Sequence, residues 1–242
     1  MFDIHCHFLP GIDDGPDTLE QSLQMVDMAV QNGITHAVVT PHIIPGRYDN
    51  SLKSISESFT QFNKELVNRH TEIKLGMAAE IRLDPIIMKM VEENKLPCLG
   101  KYHGKKVFLL EFPHDVVPQG SLEMVDWLSK KNITPVIAHP ERNQAIINNI
   151  NILDPFLKKH CLLQITAASL TGVFGKDPQK TGTRLLKNHQ VFAIASDAHN
   201  LHKRVPDLQQ GLLAAEKIIG KKQAQRLVVD NPRELTHSLF LN

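Results

Sequence analysis

Cysteine is scarce in this chain of 242 residues. Cys6, Cys98 and Cys161 are odd in number and widely spaced, with no C-x-x-C pair among them. That excludes a disulfide framework and a thiolate zinc site and fits a reducing cytosol. No apolar run approaches the roughly 18 to 20 residues needed to span a bilayer, and the start of the chain lacks the basic and apolar regions of a secretory signal. The expectation is a soluble, cytoplasmic protein with no direct membrane insertion. An excess of one charge is missing as well: 27 Lys+Arg face 26 Asp+Glu, so no global field recruits nucleic acid or another polyanion. Neither G-x-x-x-x-G-K-[ST] nor G-x-G-x-x-G occurs, which removes the usual fingerprints of nucleotide-dependent transfer and dinucleotide redox chemistry. No internal repeat, low-complexity tract or Pro/Ser-rich linker marks a boundary, and the length suits one large domain over residues 1–242.

What the chain does have is 13 histidines, and the useful question is where they fall. Short β-branched runs alternate with longer helical segments along the whole sequence. Strands are expected at Phe2–His7, His36–Thr40, Lys74–Ile81, Val107–Glu111, Thr134–His139, Cys161–Thr166 and Gln190–Ser196. Helices are expected at Thr18–Gln31, Ser51–His70, Pro85–Glu93, Ser121–Lys131, Asn151–Lys159, Pro178–Asn188 and Asp207–Ile219, with a last one near Pro232–Leu239. Asp17 or Thr18 offers an N-cap for the first helix and Gly33 a C′ residue. Repeated βα units of this kind build a mainly parallel α/β sheet, either open and doubly wound or curled into a barrel.

His5 and His7 stand two apart in the first strand, so both imidazoles project from one face. Alone, an H-x-H pair could be accidental, and the Asp13-Asp14-Gly15 that follows could be an ordinary turn. The later strands change that reading. They end in Thr40-Pro41-His42, Ala79-Glu80, Glu111-Phe112-Pro113, His139-Pro140-Glu141-Arg142 and Ser196-Asp197-Ala198-His199, where Asp197 and His199 repeat the spacing of the first pair. In parallel α/β folds the carboxyl ends of the strands share one rim, so these residues converge. So many His and acid residues at one rim point to a metal site. The bland reading suffices for His36, His70, His103, His114, His160, His189 and His237, which sit in helices, loops or strand beginnings; His202 is close enough to the last motif to be tested as a proton donor.

The motifs Asp3-Ile4-His5-Cys6-His7, Asp13-Asp14-Gly15, Thr40-Pro41-His42, Glu80-Ile81-Arg82, Ile137-Ala138-His139-Pro140-Glu141-Arg142 and Ser196-Asp197-Ala198-His199-Asn200 resemble those of the polymerase and histidinol phosphatase (PHP) family. Within it they look like the bacterial protein tyrosine phosphatases of capsule and exopolysaccharide synthesis. The resemblance implies a distorted (β/α)7, TIM-like barrel holding three divalent ions, most often Mn2+, with Fe or Zn as alternatives. It places His5, His7, Glu80 and Asp197 on the first ion, Glu80 again with Glu111 and His139 on the second, and Asp14, His42 and His199 on the third. It further implies hydrolysis of phosphotyrosine by a metal-bridging hydroxide, and as substrate the Tyr-rich tail of a membrane-associated bacterial tyrosine kinase.

Charge arithmetic agrees with an anionic substrate. Four carboxylates contribute about −4 and three divalent ions about +6, and the surplus of about +2 suits a phosphate dianion. Arg142 and Arg204 are candidates to clamp phosphoryl oxygens with their planar forks, and the loop from Ile43 to Asn50 could use Tyr48 as a wall for the substrate ring. A phenolate leaves with a pKa of about 10, so no strong general acid is required. The residues six beyond each cysteine are Ile12, Gly104 and Ala167, none of them the arginine of a cysteine-phosphatase loop. Rival readings are a small-molecule phosphatase such as histidinol phosphatase, a nuclease, which the near-zero net charge disfavours, and a catalytically silent binding module. Oligomeric state stays open.

Overall fold

The computed structural model of the chain describes residues 1–69 and 71–241. In chain order the strands are β1 Phe2–Cys6, β2 His36–Val39, β3 His42–Ile43, β4 Lys74–Met77, β5 Glu80–Arg82, β6 Gly100–Tyr102, β7 Lys105–Glu111, β8 Ile133–Ala138, β9 Leu162–Thr166 and β10 Ala193–Ala195. The helices are α1 Leu19–Gln31, α2 Leu52–Asn68, α3 Ile86–Glu92, α4 Ser121–Lys130, α5 Gln144–Asn148, α6 Asp154–Lys158, α7 Ala167–Leu170, α8 Lys176–Lys187, α9 Leu208–Ile219, α10 Lys221–Gln225 and α11 Asn231–Thr236. His70, the last residue of one expected helix, lies outside the described residues.

Parallel pairing runs β1-β2-β4 in one ladder and β3-β5-β7-β8-β9-β10 in the other. Each expected strand is present, but one is followed by a further short strand and another breaks in the middle. His36–Thr40 gives way to β3 across Pro41, which has no N–H for a ladder, and Lys74–Ile81 divides into β4 and β5 at Ala78-Ala79. Hydrogen bonds still cross these breaks, Ala78 N to Val39 O at 2.9 Å and Glu80 N to Pro41 O at 3.2 Å. At the other edge β1 meets the residues after β10: Asp197 N donates to His5 O at 2.8 Å and His7 N to Ala198 O at 2.9 Å. The result is the expected α/β, TIM-like arrangement, distorted at these two breaks and at the short β1–β10 contact.

Local sequence explains most elements. Thr18 caps α1 in a reciprocal capping box with Gln21. Apolar runs such as Val107-Phe108-Leu109-Leu110 are buried on both faces because helices cover the parallel sheet. One small apolar cluster, including Ile4, Val38, Ala78, Leu109, Val136 and Ala195, collects residues just N-terminal to the polar strand ends, with Leu235 of α11 packed into it. The three-residue β6 was not anticipated: it is an edge strand folded antiparallel on β7 through the turn at His103-Gly104, too short to carry a periodic signal. The α5 and α7 turns were missed for the same reason.

Gly211 lets α9 approach α7 closely, since a Cβ there would fall 2.4 Å from Ala167 Cβ. Alanine is worth about 1 kcal/mol over glycine in a helix, but overpacking at this separation costs about 1–3 kcal/mol. Gly211→Ala is therefore expected to lower the urea midpoint; a raised midpoint would mean that the two helices are free to separate.

Candidate metal centre

The polar strand ends converge. His5, at the end of β1, and His7 beyond it are fully buried, as are Glu80 of β5 and Asp197 after β10. His5 Nε2 lies 3.1 Å from Glu80 Oε2 and 3.2 Å from Asp197 Oδ1, and His7 Nε2 lies 3.4 Å and 3.6 Å from the same two atoms. Those four residues can offer one ligand atom each to a single ion, the set that the resemblance implies for the first. Asp14, His42 and His199 form a second group, joined here by His7: Asp14 Oδ1 is 3.3 Å from both His42 Nε2 and His199 Nε2. The third group brings His42 together with Glu80 and Glu111. His139 does not enter it; its Nε2 meets the other oxygen of Glu80, Oε1, at 2.7 Å. All nine sequence-selected donors thus lie at one rim, with His7 and His42 each facing two groups.

Hydrogen bonds on the far side of the rings aim the donors inward. Gln164 Oε1 accepts from His5 Nδ1 at 2.8 Å, Asp13 Oδ2 from His7 Nδ1 at 2.6 Å, and the Asp197 carbonyl from His199 Nδ1 at 3.0 Å. In the neutral ring each bond favours the proton on Nδ1, so that Nε2 is the atom left to face the cluster. Gly15 makes the Asp13 contact accessible, because a Cβ there would fall 2.7 Å from His7 O. Two of the donors occupy left-handed backbone, His139 at φ 32° and Asp197 at φ 52°. For non-glycine residues this conformation is uncommon, and it gathers at functional sites.

Whether a cation suits these residues can be tested on the atoms themselves. His42 Nδ1, Glu80 Oε2, Asp197 Oδ1 and His199 Nε2 are buried and have no hydrogen-bond partner, a costly state for polar atoms that coordination would relieve. The electrostatics agree. Burial disfavours charge on Glu80 and Asp197, yet neighbouring histidines, and for Asp197 first of all Arg204, hold both well below the usual carboxylate range. Burial likewise opposes charge on His7, but Asp13 and Glu80 outweigh it and bring its pKa to about 10, while burial and the charge of His7 push His199 down to about 4. The carboxylates are ionised, and protons on imidazoles balance them; a divalent ion on the same atoms would take the place of those protons.

A family model described as capsular polysaccharide synthesis, CpsB/CapC, matches residues 1–237. The chain belongs to the CpsB/CapC family. Its relatives include the tyrosine-protein phosphatase YwqE of Bacillus subtilis, 36% identical over 92% of this chain and 86% of that protein. Another, the tyrosine-protein phosphatase CpsB of Streptococcus pneumoniae, is 30% identical over 97% of this chain and 98% of its own length. A solved structure from work on YwqE and CpsB as metal-dependent tyrosine phosphatases superposes with a TM-score of 0.90 at 34% identity, covering 98% of this chain and 94% of that one. Histidinol phosphate phosphatase of Lactococcus lactis gives 0.60 at 15% identity over 92% and 93%, a likeness of fold alone. The family is the capsule-type branch that the motifs resemble.

Around the donors of this CpsB/CapC chain lie two arginines expected from the sequence and several residues that were not. Arg142 and Arg204, selected as phosphate clamps, both bond Asp197 Oδ2, Arg204 at 2.7 Å. Arg82, unselected, holds Glu111 Oε2 at 2.8 Å. Asp13 stood in a motif without a role, and Gln164 had no signal beyond lying in a strand. Glu141 is turned away from the site, its Oε1 accepting from Thr166 N and Ser169 Oγ, so it ties the end of β8 to β9 and α7. His202 is exposed, its backbone N–H bonded to Asn200 Oδ1.

Removing the partner that orients His7, as in Asp13→Asn, is expected to weaken Mn2+ binding by about 10- to 100-fold with the fold intact by circular dichroism. Equilibrium dialysis checks this, and undiminished affinity would strip Asp13 of the role. A cation must also displace the proton that His7 holds with its pKa raised to about 10, so below that pH apparent affinity rises with pH, by up to about tenfold per unit for one proton. Calorimetric titrations at about pH 6.5 and about pH 7.5 decide the matter; equal affinities would mean that His7 carries no competing proton.

Proposed function

We propose that this chain is a metal-dependent protein-tyrosine phosphatase of capsule and exopolysaccharide synthesis, residues 1–242 acting as one catalytic unit in the cytoplasm. The observation that carries the reading is the convergence of four partnerless buried donor atoms beside two guanidiniums in a chain 36% identical to YwqE. The histidinol phosphatase alternative has only the fold likeness behind it. Among the described residues no helix is long and apolar enough to cross a membrane, so a membrane-associated tyrosine kinase would be met through its Tyr-rich tail rather than by insertion; no nucleic acid takes part.

In this reading His5, His7, Glu80 and Asp197 hold one ion, Glu80, Glu111 and His139 a second, and Asp14, His42 and His199 a third. Mixed imidazole and carboxylate donors suit Mn2+, with Fe or Zn able to occupy the same set. Bound there, such ions supply Lewis-acid charge for phosphoryl oxygens and lower the pKa of water. The rest of the chemistry belongs to the protein. Gln164, Asp13 and the Asp197 carbonyl fix the ring tautomers so that lone pairs face the centre. Arg142 and Arg204 bring two positive charges to the one carboxylate of Asp197, a surplus that a phosphate dianion complements, and their forks can hold non-bridging oxygens as charge develops. Burial of the donors keeps bulk water from competing. The leaving phenolate needs little help from a proton donor because its pKa is about 10, which agrees with the exposed position of His202.

Hydrolysis of a phosphotyrosyl peptide, histidinol phosphate and a nitrophenyl ester of thymidine monophosphate by metal-stripped protein, with Mn2+, Fe2+ or Zn2+ added back, tests the proposal. Preference for the peptide is expected, abolished by stripping or by His5→Ala, with Arg142→Ala lowering kcat/KM by about 100-fold. Preference for either other substrate would retain the metal centre and overturn the substrate, and activity in stripped protein would overturn the mechanism.

A further inference from the structure

Two aromatic rings stand at the rim of the metal centre: Tyr48, which the sequence offers as a wall for a substrate ring, and Phe174, which has no place in the chemistry described so far. Aromatics make up only 5% of the chain, and Tyr48 is one of two tyrosines. Its ring, half-buried, lies parallel to that of His42, with centroids 5.7 Å apart and planes 8° from each other, and the Arg47 guanidinium is 5.0 Å from its centre. Parallel planes at that separation are offset, so the overlap with His42 is partial. The loop that carries Tyr48 is fixed: Ile44 and Tyr48 exchange backbone hydrogen bonds, and Asn50 Nδ2 donates to the carbonyls of Ile12 and His42. Phe174 occupies the loop between α7 and α8 and is also half-buried; its ring centre is 4.6 Å from the Arg142 guanidinium, which in turn bonds Asp197.

Both rings therefore follow the carboxyl ends of strands, on the same rim as the donors, and each is tied to a different part of the centre, Tyr48 through His42 and Phe174 through Arg142. The innermost donors are fully buried, so a phosphate reaches them only on a stem that passes the rim. We infer that Tyr48 and Phe174 are the walls of an aryl slot that selects phosphate esters of a flat aromatic ring, the phosphotyrosine side chain, over alkyl phosphates. The inference rests on the phosphatase reading and adds to it the residues that recognise the ring. Contact with each wall is an aromatic interaction made by the substrate ring itself, distinct from anything the donors or arginines supply.

The test compares binding of phenylphosphonate and methylphosphonate, which share the anionic group and have no leaving group, by calorimetry on the Mn2+-loaded protein. Wild type is expected to favour the phenyl compound. Tyr48→Ala and Phe174→Ala should each cut that preference by about 3- to 10-fold, with Tyr48→Phe retaining it. A ring that serves only to position His42 or Arg142 would weaken both phosphonates alike and leave the ratio unchanged, and that result in both alanine variants overturns the slot. Hydrolysis of a phosphotyrosyl peptide is followed in parallel. Discrimination through both rings in a protein that leaves the peptide intact would support the slot and overturn the tyrosine substrate.

Discussion

Glu80 is a carboxylate with no exposed surface, surrounded by ring nitrogens from four histidines: His5 and His42 at 3.1 Å, His7 at 3.4 Å and His139 at 2.7 Å. The histidines come from three strand ends, since His5 and His7 share one, and Glu80 adds a fourth, so one acid gathers much of the barrel. Burying an ionised carboxylate costs several kcal/mol unless positive charge compensates it. Here compensation comes from protons or from cations on the same imidazoles, and the stability of the centre is thereby linked to what it binds. The neighbouring acids behave alike, since Asp197 keeps its charge through Arg204, His5 and Arg142, and Asp13 through His7.

The surrounding fold bears the expense of that arrangement. His139 turns left-handed immediately after β8, and Asp197 does so two residues after β10. Such backbone persists only where neighbours over-determine it. Glu141, bonded to Thr166 and Ser169, does so on the His139 side, and Asp3, whose Oδ1 accepts from Ser196 N at 3.0 Å, does so on the Asp197 side. The acids of two motifs that bear no ligand are thus anchors for the turns that carry ligands. Their burial pushes both carboxyls above the usual range, against the hydrogen bonds they accept.

Much of the fold was legible from local pattern because parallel strands and amphipathic helices write their periods into the sequence. The broken strands were not, since Pro41 interrupts a ladder whose apolar run continues on either side, and neither was β6, held by its pairing with β7 rather than by its own composition. That imidazoles and carboxylates would gather at one rim was legible too, because they recurred at strand ends. The orienting groups were another matter. Gln164 reads as an ordinary polar residue in a strand until β9 brings it 2.8 Å from His5, 159 positions away, and Arg82 reads as a surface charge until β5 and β7 lie side by side.

By itself, then, the sequence determined the chemistry available: which residues could ligate, which backbone periods would bury them, and the absence of the thiolate and nucleotide motifs that would have meant another mechanism. Tertiary structure alone decided which donors share a point in space, that His7 and His42 each face two groups, that His139 meets Glu80 rather than joining the third, and that Phe174 lies against Arg142. The physical reason is range. Propensity and periodicity act between residues a few positions apart, whereas ligation, tautomer choice and charge compensation act across about 3 Å of space between residues that the chain keeps far apart.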